Sequence, residues 1–389
     1  MADDAGRKNV DGQTNAANNP TTSMSRRRAL AVLGGAATVS LAGCSGGGDG
    51  GGGETGDSGS GDPEFIRYLG WGGNTQDSAK QLFEGWTEET GIEVRHQSAG
   101  GDSEFLSIIQ QNPGEIDIVN FSSFGIALAR SEDLLADISY GDLPNYTENM
   151  QEAFQNAPYI EGNGDTVFRD PVSQGFTVNT ESVDPRPTDW PDLTDSRFQG
   201  SISLRDDALS RFSSSALATG SNINEIVEAG PESDSYQAAV EHQEALHQNV
   251  ETYWSAGAQA IQLLREENVT VAEMWGGRTL ALEEAGYDQM EYTIAESGVS
   301  VLDENYNIPS SSEKQEAVHD LINWSFQREN AVELSTNLGY PIMINDPPES
   351  ITSLPDYVDS IDALSWPDWE VVRPAIDQLQ RDFQEIKQN

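Results

Sequence analysis

Residues 65–96 read FIRYLGWGGNTQDSAKQLFEGWTEETGIEVRH, and this stretch decides the fold. The apolar run 65–71 predicts a strand. Over 75–90 the apolar residues recur at the helical spacing i, i+3, i+4 and i+7, and Gly91 is a typical residue just past a helix end. Residues 92–96 predict a second strand, so the stretch predicts a strand–helix–strand unit of an α/β fold.

The same alternation continues along the chain. A helix is predicted over 102–111, and the nearly all-apolar run 116–121 predicts a strand that is covered on both faces. Later strands are predicted over 174–178, 201–204, 250–254, 269–275, 290–295 and 299–302, with helices between them and after them. The rhythm favours open, mostly parallel sheets flanked by helices.

The N-terminal segment has the features of a secretion signal. Ser25-Arg26-Arg27-Arg28 is a twin-arginine start, an apolar stretch follows over 29–41, and residues 41–44 (LAGC) resemble the lipobox of secreted lipoproteins. A transmembrane helix is the alternative, but the stretch is shorter than the roughly 20 residues that a span needs. We therefore expect 1–43 to be a removable signal and Cys44, the only cysteine, to carry a lipid.

The segment after Cys44 predicts a tether. Residues 45–62 are nearly all Gly, Ser and acidic residues, which cannot form a core. We expect 44–63 to connect a lipid-anchored Cys44 to a folded body on the extracellular face of the membrane.

The charge balance indicates the class of protein. The chain has 65 acidic and 21 basic residues, a formal net charge of -44, and the acids are spread along its whole length. Such a surface is tolerable where salt screens it, and it resembles the surfaces of haloarchaeal secreted proteins. Nucleic acid is excluded as a partner because no basic stripe exists to displace counterions.

Signals of catalysis are missing. The single cysteine belongs to the anchor, the four histidines have no metal-ligand spacing, and no phosphate-binding or hydrolase motif is present. A secreted hydrolase that uses Asp206 and Asp207 is one alternative, although neighbouring residues of a strand point to opposite faces. A structural surface protein is another, although the repeats expected of one are absent. The sequence predicts no cofactor and no metal site.

Aromatic and polar residues follow several predicted strands. Trp71 ends the first strand, Ser122 and Phe124 follow the third, Asp207 follows 201–204, and Trp275 ends 269–275. Ligands of open α/β sheets bind outside the carboxyl ends of the strands. These side chains therefore predict a lined cleft.

Five segments in this order resemble the spermidine/putrescine-type periplasmic solute-binding proteins of ABC importers. They are WGGNTQDSAKQLFEGWTEETGIEV, EIDIVNFSS, TVNTESVDPRPTDWPDLTDSRFQGSISLRDD, VTVAEMWGG and NIPSSSEKQEAVHDLINWSFQRENAVELSTNLGYP. The resemblance implies an α/β, two-lobe periplasmic-binding-protein-like fold (type II). It also implies a monomeric, non-enzymatic receptor that closes on a small solute and delivers it to an ABC permease. We expect lobe 1 to comprise 64–171 and 277–306, and lobe 2 to comprise 172–276 and 307–389.

The resemblance also implies a set of ligand-binding residues. The residues that it places at the cleft are Trp71, Ser122, Phe124, Asp207, Ser210, Trp275, Arg278 and Tyr340, and we add Asn74 and Trp254. Asp207 matches the first of two acids that hold polyamine ammonium groups, but the second acid falls on the uncharged Ser210. A third expected acid falls on Gly277, beside Arg278.

The identity of the solute stays open at this point. A polyamine needs carboxylates for its charges and aromatic faces for its methylenes. Because two acids are missing and Arg169, Arg205 and Arg278 lie near predicted strand ends, an anionic or zwitterionic solute is the rival. A carboxylate, a phosphonate-like anion, a thiamine-like cation and ferric iron are the alternatives, and iron fits least well.

Overall fold

The computed structural model describes residues 63–160 and 162–388 of the 389. The predicted signal 1–43, the lipidation site Cys44 and nearly all of the predicted tether 44–63 lie outside the described residues.

A three-stranded parallel sheet is built from the first part of the described chain. Its strands are β1 (Phe65–Trp71), β2 (Glu93–Ala99) and β3 (Ile118–Val119), in the order β2-β1-β3. Its helices are α1 (Asn74–Thr90), α2 (Asp102–Gln111) and α3 (Ser123–Arg130), and α4 (Pro144–Asn149) and α5 (Glu152–Gln155) follow them. Each of the three strands is followed in the chain by a helix, as the strand–helix–strand pattern predicts.

A seven-stranded sheet forms around one long strand, β4 (Val167–Asn179), all of whose residues are buried. The other strands are β5 (Ile202–Arg205), β6 (Val250–Trp254), β7 (Val271–Trp275), β8 (Met290–Thr293), β9 (Val299–Tyr306) and β10 (Leu364–Ser365). β4 is antiparallel to β7, β8 and β9, whereas β5 is parallel to both β6 and β7, and β9 is parallel to β10.

The remaining helices of the described residues pack partly beside this second sheet and partly against α1. They are α6 (Ala208–Ala218), α7 (Ile223–Ala229), α8 (Asp234–His247), α9 (Gly257–Arg265), α10 (Gly276–Glu284), α11 (Gln315–Ser325), α12 (Arg328–Leu338), α13 (Glu349–Thr352), α14 (Trp369–Val372) and α15 (Ile376–Ile386). α15 packs Leu379 and Phe383 with Phe212 of α6 in one apolar cluster, so the C-terminal helix belongs to this part of the fold.

Three tryptophans lie in the core. Trp86 and Trp190 are fully buried and Trp324 nearly so. Each indole N–H donates to the protein; the acceptor of Trp86, for example, is Asp320 Oδ2 at 2.8 Å. These three residues therefore have packing roles, as their positions in a helix face and a turn predict.

The segment after β7 packs beside the seven-stranded sheet. Leu282 of α10 and Met290 of β8 lie in one apolar cluster with Trp254 and Leu264. β8 also pairs with β4. The expected lobe boundaries at residues 171/172, 276/277 and 306/307 stay predictions.

Within residues 63–160 and 162–388, none of the helices combines the length and the apolar character that crossing a membrane requires.

Candidate functional site

A cavity of about 850 Å³ lies where residues from the ends of β1, β5 and β7 meet. Eight of the ten predicted ligand-binding residues line it: Trp71, Ser122, Phe124, Asp207, Ser210, Trp275, Arg278 and Tyr340. They come from elements of both sheets, so the cavity is shared between the two halves of the fold. The structure thus brings together the strand ends that the sequence predicts to meet.

Trp71 forms one aromatic wall. Its ring packs edge-on against Phe105 of α2, with ring centres 5.2 Å apart. Gly73, two residues later, has φ +73°, a left-handed conformation that favours glycine and turns the chain into α1. The Trp71 indole N–H is buried and has no acceptor among the described residues.

Trp275 forms a second aromatic wall, and Trp254 supports it. Trp254 is buried and does not line the cavity; its ring packs edge-on against Trp275 at 5.5 Å, and its N–H donates to the Glu273 carbonyl at 2.9 Å. Trp254 therefore supports Trp275 from the core and does not line the cavity. At the end of β6 its side chain packs in one apolar cluster with Ala272 and Met274 of β7.

Asn74 also lies outside the cavity lining. Its Nδ2 donates to the carbonyls of Asn337 and Leu338, both at 3.1 Å. These acceptors are the last carbonyls of α12, which a helix cannot satisfy internally. Asn74 thus joins the start of α1 to the end of α12.

The Gly276-Gly277 pair at the start of α10 permits a close approach of two side chains. A Cβ atom on Gly276 would overlap the carboxylate of Asp356, and one on Gly277 would lie 2.7 Å from Cζ of Tyr340. Tyr340 can therefore reach the cavity only because residue 277 has no side chain. Arg278, the next residue, lines the cavity and is exposed.

Asp207 and Ser210 form the N-cap of α6. Asp207 Oδ1 accepts hydrogen bonds from the Ser210 amide at 2.8 Å and from the Ser210 hydroxyl at 2.7 Å. The carboxylate is thereby fixed at the positive end of α6. Both residues line the cavity, but they form hydrogen bonds with each other.

Ser122 holds a carboxyl group that the sequence analysis missed. Its amide and hydroxyl donate to Asp102 Oδ1 and Oδ2 at 2.9 and 2.6 Å. Burial raises the pKa of Asp102 to about 6, although the hydrogen bonds from Ser122 lower it. A sequence signal could have identified Asp102 as a cavity residue. It lies directly after Gly100-Gly101, at the start of a predicted helix.

Phe124 contacts a second missed residue, Trp369. Their ring centres are 4.9 Å apart, and the Trp369 N–H donates to the Ser123 hydroxyl at 3.1 Å. Trp369 begins the short helix α14, far along the chain, and it also lines the cavity. No local pattern in the sequence distinguishes it from a core tryptophan.

Arg169 is not part of the cavity lining. Its guanidinium is fully buried in β4, where it forms ion pairs with Asp170 and Glu304. Burial raises the pKa of Glu304, a cavity residue, to about 7, while Arg169 lowers it. Arg205, by contrast, lines the cavity, and its guanidinium carbon lies 5.2 Å from the ring centre of Trp275.

No group of three or more His, Cys, Asp or Glu side chains within the described ranges is arranged to hold a metal ion.

Comparisons with known proteins identify the family. The family described as bacterial extracellular solute-binding protein matches residues 81–384. The spermidine/putrescine-binding periplasmic protein of Escherichia coli (strain K12) is 25% identical over 265 residues, which are 67% of this chain and 73% of that protein.

Solved structures of similar proteins have the same fold. The PotD spermidine/putrescine ABC transporter substrate-binding protein of Streptococcus pneumoniae has a TM-score of 0.74 at 20% identity, covering 84% of this chain and 99% of that one. The Atu4243 GABA receptor has a TM-score of 0.65 at 20% identity, covering 83% and 97%. These likenesses confirm the predicted two-lobe α/β fold of periplasmic binding proteins. The chain therefore belongs to the bacterial extracellular solute-binding protein family, as a solute-binding protein and not an enzyme.

Proposed function

We propose that this protein is a lipid-anchored extracellular receptor that captures a small amine-bearing solute of the polyamine type and delivers it to an ABC permease in the membrane. The solute would lie in the cavity between Trp71, Asp207 and Trp275. The observation that carries the proposal is this cavity of about 850 Å³, lined from both sheets by aromatic and charged side chains. Its size suits a small organic ligand.

Three further points support the proposal. The E. coli relative is named for binding spermidine and putrescine, and the GABA receptor shows that the same fold serves an amine that also carries an acid. The aromatic walls provide faces for methylenes and for an ammonium group. The lipobox at Cys44 and the Gly-rich segment after it would keep a monomeric receptor close to its permease.

We also propose that the two lobes part at β4 and β9. These two strands pair with each other from Val167↔Tyr306 to Gln174↔Ser300, and Asn307 forms a bridge to Val119 of the three-stranded sheet. They are thus the strands that connect both halves of the fold. Bending there would open and close the cavity.

The test compares the affinity for the solute of two variants with substitutions in the same strand, β1. Trp71→Ala removes the aromatic wall at the cavity end of β1, whereas Phe65→Ala removes an aromatic ring at the opposite end of the same strand. We expect Trp71→Ala to weaken the affinity for the solute about tenfold or more, because the cation–π and packing contacts are lost. Phe65→Ala should leave the affinity unchanged.

The measurement is isothermal titration calorimetry in molar potassium chloride, with spermidine, putrescine and 4-aminobutanoate as probes. If Trp71→Ala and Phe65→Ala change the affinity equally, the solute does not bind against Trp71. Conversion of any probe into a new compound would contradict the receptor role.

A further inference from the structure

We propose that the amine-bearing solute also carries an anionic group, which an ordinary polyamine lacks, and that Arg205 and Arg278 bind this group beside Trp275. The inference rests on the proposed receptor function and specifies the chemical class of solute that the cavity takes. A carboxylate is the simplest such group, and the remainder of the solute would extend along Trp71.

Arg205 has hydrogen-bonding capacity to spare. Its Nη1 donates to Gln174 Oε1 at 3.2 Å and to the Ser210 hydroxyl at 3.4 Å, and both acceptors are uncharged. The guanidinium carbon lies 5.2 Å from the ring centre of Trp275, within the range of a cation–π contact. Since a guanidinium has five N–H donors, an acid group can still be bound in the bidentate manner.

Arg278 has no ion-pair or hydrogen-bond partner among the described residues, although it lies in a chain with 65 acidic residues. The buried arginines behave differently: Arg169 is paired with Glu304, and Arg211 with Glu273. Neither Arg205 nor Arg278 forms an ion pair with a carboxylate of the described residues, so at the cavity their positive charge is not compensated by direct contact.

Three of the four acids that line the cavity are engaged by protein side chains; the fourth, Glu104, is exposed and accepts from the Gly100 amide at 2.7 Å. Both oxygens of Asp102 accept from Ser122, and Asp207 Oδ1 accepts twice from Ser210. Glu304 is paired with Arg169. These carboxylates thus have less capacity for an ammonium group than their number in the lining implies.

Burial also disfavours the charged form of two of these acids. Burial raises the pKa of Asp102 to about 6 and that of Glu304 to about 7. The Trp71 and Trp275 N–H groups have no acceptor among the described residues. Around Trp275 the cavity offers the positive charge of Arg205 and Arg278, which is the complement of an anion.

The experiment compares three probes of similar length that differ only in their charged ends. Putrescine carries amines alone, 4-aminobutanoate carries an amine and a carboxylate, and butanoate carries a carboxylate alone. Affinities are measured by calorimetry in molar potassium chloride for the native chain, Arg278→Gln, Arg205→Lys and the control Arg265→Gln. Arg265 is matched to Arg205, because it lies over the ring of Tyr287 at 5.0 Å but outside the cavity.

We expect at least one carboxylate-bearing probe to bind more tightly than putrescine. Arg278→Gln should weaken that binding about ten- to hundredfold, because a charge-assisted contact is lost. Arg205→Lys should weaken it too, since lysine keeps the charge but not the planar fork. Arg265→Gln should have no effect. Arg278 is exposed, so the thermal midpoint without ligand should not change.

Two results would overturn the inference. If putrescine binds most tightly and Arg278→Gln leaves its affinity unchanged, the receptor function stands and the anion site does not exist. If neither carboxylate probe binds, the inference is also wrong, and the spermidine and putrescine titrations with Trp71→Ala then decide separately about the receptor function.

Discussion

Asp356 is a fully buried carboxyl group that contacts the helix start behind Trp275. Its Oδ1 accepts a hydrogen bond from the Ser173 amide at 2.9 Å and a second from the Ser173 hydroxyl. Burial raises its pKa to about 7, although the hydrogen bonds from Ser173 lower it. No cation forms an ion pair with it among the described residues, so its charged form is costly in the folded state.

The raised pKa predicts how stability depends on pH. In the unfolded chain an aspartate titrates near pH 4, so between about pH 4 and 7 the folded state binds more protons than the unfolded state. Burial lowers the pKa of His96 and His242 to about 4 and so opposes this effect. The contribution of Asp356 to the free energy of unfolding should rise as the pH falls from 8 to 5.5. Asp102 and Glu304 act in the same direction.

The variant Asp356→Asn should reduce this pH dependence, because a neutral amide replaces the titrating group. Thermal midpoints measured from pH 8 to 5.5 check the expectation. Over this range the midpoint of the native chain should rise relative to that of Asp356→Asn. Equal slopes for the two proteins would show that Asp356 does not titrate there.

At the scale of elements, Trp71 and Trp275 of the cavity are each followed by a glycine pair, but the two pairs serve different purposes. Gly73 supplies a positive φ that starts α1, whereas Gly276 and Gly277 let Asp356 and Tyr340 contact the backbone of α10. The sequence predicts that the chain turns or is approached closely at these pairs. It does not predict the partners, because they follow at residues 340 and 356.

The glycine pairs provide a matched pair of substitutions. Gly276→Ala should destabilise the fold by about 1–3 kcal/mol and weaken solute binding, because the new Cβ overlaps Asp356 and displaces the start of α10. Gly72→Ala should be tolerated, since its Cβ would lie 3.7 Å from Ser98, an ordinary contact. Denaturant titration gives the stability and calorimetry the affinity. Similar losses in both variants would argue against a specific role for the space at Gly276.

Elements with a regular apolar pattern are predicted closely, and elements that bury charge are not. β1 and β6 match their predicted bounds, and α1 begins one residue early. β4 is predicted only over 174–178, although it spans Val167–Asn179, since Arg169 and Asp170 interrupt the apolar pattern. They are tolerated because Glu304 of β9 pairs with Arg169, a contact that no local pattern reveals. The same limit applies to Trp369, which reaches the cavity from a remote segment.

At the scale of the whole molecule, the dominant feature is the net charge of -44. The described ion pairs use only a small part of the acidic residues, so most carboxylates repel one another through solvent. Salt reduces this repulsion, because the Debye length falls from about 10 Å at 0.1 M to about 3 Å at 1 M.

The thermal midpoint should therefore rise when potassium chloride is increased from about 0.1 M to about 1 M at pH 7.5, as screening removes repulsion. The same increase at pH 4.5 should have a smaller effect, since many carboxylates are then protonated. A midpoint that is constant in salt at pH 7.5 would contradict the expectation that this surface is adapted to salt.

The long buried strand β4 has a consequence for synthesis on the ribosome. Its neighbours β7, β8 and β9 lie at Val271–Trp275, Met290–Thr293 and Val299–Tyr306, so both of its edges remain open until residues 271–306 of the 389 have emerged. An unpaired strand edge is a template for wrong association. The nascent chain thus has a long vulnerable interval, during which chaperone protection of residues 167–179 would matter most.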